Sequence, residues 1–167
     1  MLTSIMLPDL LSNDLKLVIC GTAAGTKSTI KQAYYAGPGN KFYKILFKAG
    51  LTSSLLNPSE YPKLLDYGIG LTDLVKCQSG MDHTLNKVNF DVLGFKAKID
   101  KYEPVLVCFN GKESARVFMG LPSTSKIFYG LQEAFIGRSR LYVAPSTSGA
   151  ANGHWDESYW LELKNLL

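Results

Sequence analysis

Three apolar runs and their order along the chain constrain this fold more than any other feature. "LKLVICG" at 15 to 21, "EPVLVCFNG" at 103 to 111 and "RLYVAPSTSG" at 140 to 149 each suit a strand buried on both faces, and each ends in small or polar turn residues. Between them the apolar positions switch to helical spacing. Phe42, Ile45, Leu46 and Ala49 stop at Gly50, a residue fitted to the left-handed position that closes a helix. Tyr61, Leu64 and Leu65 predict a second helix ending before Gly68. Leu85, Val88, Val92, Phe95 and Ile99 share one face of a third, over 84 to 102, whose end Pro104 fixes. Lys112 to Met119 and Trp155 to Leu167 complete the predicted helices, and "GIGLTDLV" at 68 to 75 and "KIFYG" at 126 to 130 are shorter strand candidates. Strands alternating with helices imply an α/β fold with a largely parallel sheet. Ligands bind such sheets beyond the carboxyl ends of the strands, so the expected site is the rim where "GTAAGTKS", "GLTDLV", "FNGK" and "PSTSGAANGH" converge.

The chain has 167 residues, which predicts a single domain over 1–167. With 46% hydrophobic and 19% charged residues it is a packed protein and not a disordered tail. The net charge of +4 decides little, but Lys27, Lys31, Lys41, Lys44 and Lys48 fall in a stretch with no carboxylate. That stretch suits a phosphate backbone, or equally a solvated lysine face. Cys20, Cys77 and Cys108 are too far apart for a Cys-x-x-Cys site and too few for a disulfide framework, so no metal is expected and a reducing interior is the natural setting. "MLTSIMLPDLL" lacks a basic leader, and no apolar run reaches the roughly 20 residues of a membrane span. The expected location is cytoplasmic, or nucleoid-associated if the partner is DNA.

"CGTAAGTKS" at 20 to 28 approaches a phosphate-binding loop, with Lys27 and Ser28 in the gripping positions. The glycine that such a loop needs before the lysine is replaced by Thr26, and "AGPGN" at 36 to 40 breaks any helix soon after. A nucleotide cofactor is therefore not expected.

The same stretch fits another pattern. "CGTAAG", followed at a fixed distance by "AGPGNKFY" and then "KILFKAGLT", resembles the mismatch-specific uracil-DNA and thymine-DNA glycosylases of the uracil-DNA glycosylase superfamily. The likeness continues through "LLDYGIGLTDLV", "FNGKESARVF" and "VAPSTSGAANG" and covers nearly the whole chain. It implies a three-layer α/β/α sandwich with a small, mainly parallel central sheet. The implied protein is a monomer without cofactor that flips a damaged base out of single-stranded or double-stranded DNA and hydrolyses its N-glycosidic bond.

Carried over by position, the resemblance implies that Gly21 and Thr22 bring backbone N–H groups to the flipped base, where a fixed donor is worth about 10²-fold to 10³-fold in rate. Tyr35 matches the aromatic on which the base stacks, with Tyr34 as a rival. Ser146, Thr147, Ser148 and Gly149 match the loop that grips phosphate, while Lys27, Ser28, Lys41 and Asn152 would meet the DNA. Ala150 and Ala151 stand where the family places an intercalating wedge and are too small to fill a vacated stack.

The departure from the pattern is Ala23, which occupies the position of the asparagine that holds the attacking water. Two residues are expected to supply the missing catalytic group. Asp73 lies at the end of a predicted strand and can accept a ring N–H or orient water; a turn-capping role is its alternative. His154 follows the "STSGAANG" loop and can carry charge beside a leaving anion, or can be a surface residue. Asn110 and Lys112 either steady the pocket, touch DNA or start a helix; His83 starts a helix in a polar linker. The expected activity is excision of uracil, with hypoxanthine as a further candidate, by a monofunctional enzyme. A catalytically silent lesion-binding protein of the same fold is the competing expectation.

Overall fold

The computed structural model describes residues 7–81, 85, 90–123 and 125–167. The apolar runs become five strands: β1 (Leu17–Ala23), β2 (Ile69–Val75), β3 (Leu106–Asn110), β4 (Gly130–Ile136) and β5 (Ser139–Ala144). They form one sheet in the order β2-β1-β3-β5-β4, parallel except for the β4/β5 hairpin at one edge. At the opposite edge Leu10 bridges Leu71 through two backbone hydrogen bonds of 2.9 and 2.8 Å, so the segment around Asp9 covers β2.

Side chains alternate across this sheet with a period of two, and both faces are covered. Leu17, Ile19, Leu71, Leu106, Cys108, Tyr142 and Ala144 pack in one cluster with Phe42, Leu46, Leu64 and Trp160. Val18, Cys20, Leu74, Val107, Phe109, Leu141 and Val143 pack in the other with Phe95, Ile99 and Ala115. Layers of helix lie on each side. The first cluster receives α2 (Phe42–Lys48), a 3-10 helix (Pro58–Tyr67), α5 (Ser158–Leu161) and the turn Glu162–Leu166. The second receives α3 (Val92–Tyr102) and α4 (Lys112–Phe118). This is the expected mainly parallel α/β/α arrangement. No helix among the described residues is long and apolar enough to cross a membrane.

Four local readings change. The helix expected over Trp155 to Leu167 is a single α turn, Ser158–Leu161, followed by a 3-10 helix, Glu162–Leu166. The strand expected at 126 to 130 begins at Gly130 and runs to Ile136 instead; its edge position leaves Leu131 and Phe135 exposed, so it lacks the buried apolar signature used to find strands. The 61 to 65 helix is a 3-10 helix over Pro58–Tyr67, closed at its start by Asn57 and Glu60 in a capping box and carrying Pro62 inside. The helix expected from 84 begins at Val92, where the Asp91 carboxylate accepts from Gly94 N at 2.9 Å. Thr84 and Val88, like His83, lie outside the described residues.

The chain passes from β1 to β2 on one side and reaches β3 on the other, which places the switch in strand order between β1 and β3. Pairing of β1 with β3 ends at Cys20 and Phe109, whereas pairing with β2 continues to Ala23 and Val75. The sheet splits there, and a crevice opens beyond the strand ends.

Candidate functional site

A cavity of about 680 Å³ fills that crevice. Its walls come from the end of β1 (Gly21 to Ala23), from α1 (Thr26–Lys31) and the loop through Tyr35 to Asn40, from Asn110 to Glu113 after β3, and from Ser146 to Ala151 after β5. Three of the four expected loops thus line one space; the fourth, "GLTDLV", does not, and its Asp73 lies behind the lining residue Gly21.

The floor is set by a side chain that is missing. Gly21 pairs in register with Asp73, and a Cβ on Gly21 would stand 2.7 Å from Asp73 Oδ1 and 3.4 Å from Tyr35 Oη. Glycine is required there because a carboxyl and a phenol occupy the space above it. Asp73 is 4% exposed, and its Oδ2 is buried without a hydrogen-bond partner among the described residues, the Lys76 ammonium being 3.8 Å away. Burial pushes the Asp73 carboxyl up to about 6, against the pull of Lys76.

Tyr35 supplies the second unpartnered polar atom. Its residue adopts a left-handed backbone conformation (φ 54°), a strained state for a bulky side chain. The turn it makes sets its ring 4.0 Å from that of Phe42 and sends its hydroxyl into the interior. Burial, with the Asp73 carboxylate, pushes that hydroxyl well above its usual range, and the Asn110 side chain opposes this; among the described residues no hydrogen bond closes on Oη. Tyr34, the rival, is fully buried, donates to Pro8 O at 2.9 Å and does not line the cavity.

Beneath Asp73 lies a charge network with little trace in the sequence. Lys76 contacts Asp9 at 3.0 Å, donates to Tyr34 Oη at 2.9 Å and lies 5.4 Å from the Tyr34 ring centre. Asp9 is also held by Lys98 at 2.6 Å and by the Thr72 hydroxyl at 2.7 Å. Burial opposes its charge, yet these cations and hydrogen bonds keep the Asp9 carboxyl below its usual range. The spacing of Asp73 and Lys76 in "TDLVK" was a visible hint; Asp9 and Lys98 carried none.

The opposite wall is knit together. Asn110 Nδ2 donates to Thr147 Oγ1 and Asn110 Oδ1 accepts from Thr147 N, each at 3.0 Å. Ser146 Oγ accepts from Ser148 N, and Ser148 Oγ from Ala150 N, each at 3.3 Å. Lys41 N donates to Thr147 O at 2.9 Å, and a Cβ on Gly149 would be 3.4 Å from Gly39 O, so the "AGPGN" turn is seated on the "STSG" loop.

The remaining expected residues are distributed around the rim. Lys27 lines the cavity and is exposed. Ser28 is buried, and its hydroxyl accepts from Ala36 N at 2.9 Å, which ties the short α1 to the Tyr35 loop. Thr22 is buried in the lining, and Ala23, Ala150 and Ala151 border the same space. Lys41 and Asn152 come together through a hydrogen bond, with the ammonium 5.2 Å from the Trp155 ring centre, outside the lining. His154 closes the 3-10 turn Gly149–His154, exposed and also outside the lining. Lys112 lines the cavity with its ammonium 4.3 Å from the Tyr129 ring centre. Among the described residues no group of three or more His, Cys, Asp or Glu is placed to hold a metal.

The fold has a solved counterpart. The solution structure of a candidate uracil DNA glycosylase from Methanosarcina acetivorans superposes with a TM-score of 0.63 over 95% of each chain at 24% identity, a likeness of fold. In sequence, the family model of the uracil DNA glycosylase superfamily matches residues 8–164, which takes in every wall of the cavity. With a crevice at the switch point and a family-model match across nearly the whole chain, the conclusion is that this protein belongs to the uracil DNA glycosylase superfamily.

Proposed function

We propose that the protein is a monofunctional DNA N-glycosylase that excises uracil, and hypoxanthine as a second substrate, acting as a monomer on DNA in the nucleoid. The observation that carries this reading is a pair of buried polar atoms without hydrogen-bond partners among the described residues: Oη of Tyr35, which lines the cavity, and Oδ2 of Asp73, which lies behind the lining residue Gly21; the far wall suits a sugar-phosphate chain. Leaving such atoms unpaired costs about 1 to 3 kcal/mol each, a cost a protein bears where a ligand will complete the bonds.

In this reading a nucleotide leaves the stack and enters the crevice, its base against Tyr35 and its phosphates against Lys27 and the Ser146–Gly149 turn. Water attacks C1′, the bond from C1′ to the base nitrogen breaks, and the electron pair departs with the base. Backbone N–H groups at Gly21 and Thr22 stabilise the charge growing on it. Asp73 takes the place left by Ala23: its carboxylate orients the water and accepts its proton, a role for which a pKa near 6 leaves it ionised yet basic at neutral pH. His154, Lys41 and Asn152 meet the DNA at the rim. Bond cleavage by a lysine imine has no place in this scheme, since the position of the missing asparagine is Ala23.

The test is excision from uracil-containing and hypoxanthine-containing oligonucleotides, read as strand breaks after alkali. The parent should yield breaks above buffer, with the rate falling about tenfold per unit as the pH drops below 6. Asp73→Asn should lower the rate by roughly 10²-fold to 10⁴-fold. Absence of breaks at enzyme excess would favour a silent lesion-binding protein. A loss under tenfold in Asp73→Asn removes that residue from the mechanism, and a rate that falls above pH 6 reassigns it as a neutral donor to the leaving base.

A further inference from the structure

A second cleft, of about 440 Å³, lies beside the first and shares the wall residues Lys112 and Glu113 with it. We propose that this cleft is the track along which the DNA strand leaves the pocket, with a flanking base stacked on Phe128 and a phosphate held by Lys126. The inference rests on the glycosylase reading only for the identity of the strand's destination.

The wall chemistry matches a single strand. Lys112, Arg116 and Lys126 line the cleft against one carboxylate, Glu113. Arg116 forks that carboxylate, with Nε to Oε2 at 2.9 Å and an Nη to Oε1 at 2.5 Å, and also donates to Leu121 O at 2.8 Å. The acid is thereby neutralised and the wall fixed. Lys126 has no ion-pair partner among the described residues and is exposed. The surplus of positive charge suits a phosphate chain.

Phe128 supplies the platform. It is 76% exposed, an unfavourable place for a phenyl ring unless something covers it. Its backbone is anchored: Ile127 beside it is buried in the core cluster of the α3/α4 face, and Gln132 Nε2 donates to Phe128 O and Gly130 O, both at 2.9 Å. An exposed aromatic on an anchored backbone, two residues from a cation without an ion-pair partner among the described residues and in a cleft that shares two wall residues with the first cavity, is what sequence-tolerant binding of a single strand needs: a π face for any base and a charge for its phosphate.

Binding of an undamaged labelled oligothymidylate, followed by fluorescence anisotropy across a salt series, tests the track without requiring excision. Phe128→Ala should weaken binding roughly tenfold and Phe128→Trp should restore it. Lys126→Gln should reduce the slope of log affinity against log salt by about 0.7. Both positions are exposed, so the thermal midpoint should not move, and a substrate just long enough to fill the pocket should be cleaved at the parent rate. Variants that bind within twofold of the parent overturn the proposal even if excision is robust. Weakened binding by the variants of a parent that cuts nothing supports the track while removing the glycosylase reading. Self-association that Phe128→Ala abolishes, with DNA binding unchanged, overturns the track and assigns the face to a second copy of the chain through Phe128, Leu131 and Phe135.

Discussion

On the β5 side of the cavity the polar groups satisfy one another: Asn110 and Thr147 exchange two hydrogen bonds, and the serines of the "STSG" turn accept from backbone two residues on. On the β1/β2 side Asp73 and Tyr35 each bury a polar atom with no hydrogen-bond partner among the described residues, beside a glycine that leaves them room. The first wall is stable by itself and presents a finished surface. The second stores a cost that only a bound group relieves, and chemistry belongs where such a cost is kept.

Removing the stored cost should give the largest effect. The folded protein holds the Asp73 proton more tightly than the unfolded chain does, the carboxyl being raised from 3.8 to about 6. Ionisation therefore destabilises the native state progressively between these values and by a constant amount above them, about 3 kcal/mol at most. Asp73→Asn should raise the thermal midpoint by several degrees at pH 8, and the gain should shrink as the pH falls below 6 and vanish below 4, while excision is lost. An unchanged or lower midpoint at pH 8 would erase the contrast between the walls.

The finished wall should respond in the opposite sense. Asn110→Ala removes two hydrogen bonds and leaves Thr147 N and Oγ1 without their partner, so stability should fall by about 1 to 3 kcal/mol in thermal unfolding. Because the "STSG" loop then loses its anchor, KM for DNA should rise more than kcat falls. The mildest change is expected from Lys76→Met. Lys76 lowers the Asp73 pKa, so its loss should move the acid limb of the pH–rate profile upward with little change in the plateau. A plateau that collapses with no movement of the limb would make Lys76 a purely structural residue of the Asp9 network.

Much of this was legible in the chain. The buried strands, the helix ending at Gly50 and the convergence of the loops followed from periodicity and turn chemistry, which act over a few residues. Strand β4 escaped because an exposed edge strand does not alternate or bury enough to be recognised, and "KIFYG" beside it carried the stronger apolar signal. The choice between Tyr34 and Tyr35 was also closed to the sequence: adjacent tyrosines differ only in the backbone turn at Tyr35, and that turn is imposed by what packs around it.

What the sequence determined by itself was the order of the buried strands and the family to which the chain belongs, because these depend on residue type and spacing. Only the tertiary structure decided that the Asp73 carboxyl shares the space above Gly21 with the Tyr35 hydroxyl, and that Lys76, Asp9 and Lys98 lie behind it. The reason is physical: the protonation and bonding of a buried group are set by burial and by charges a few ångströms away, and those neighbours come from parts of the chain that meet only when it folds.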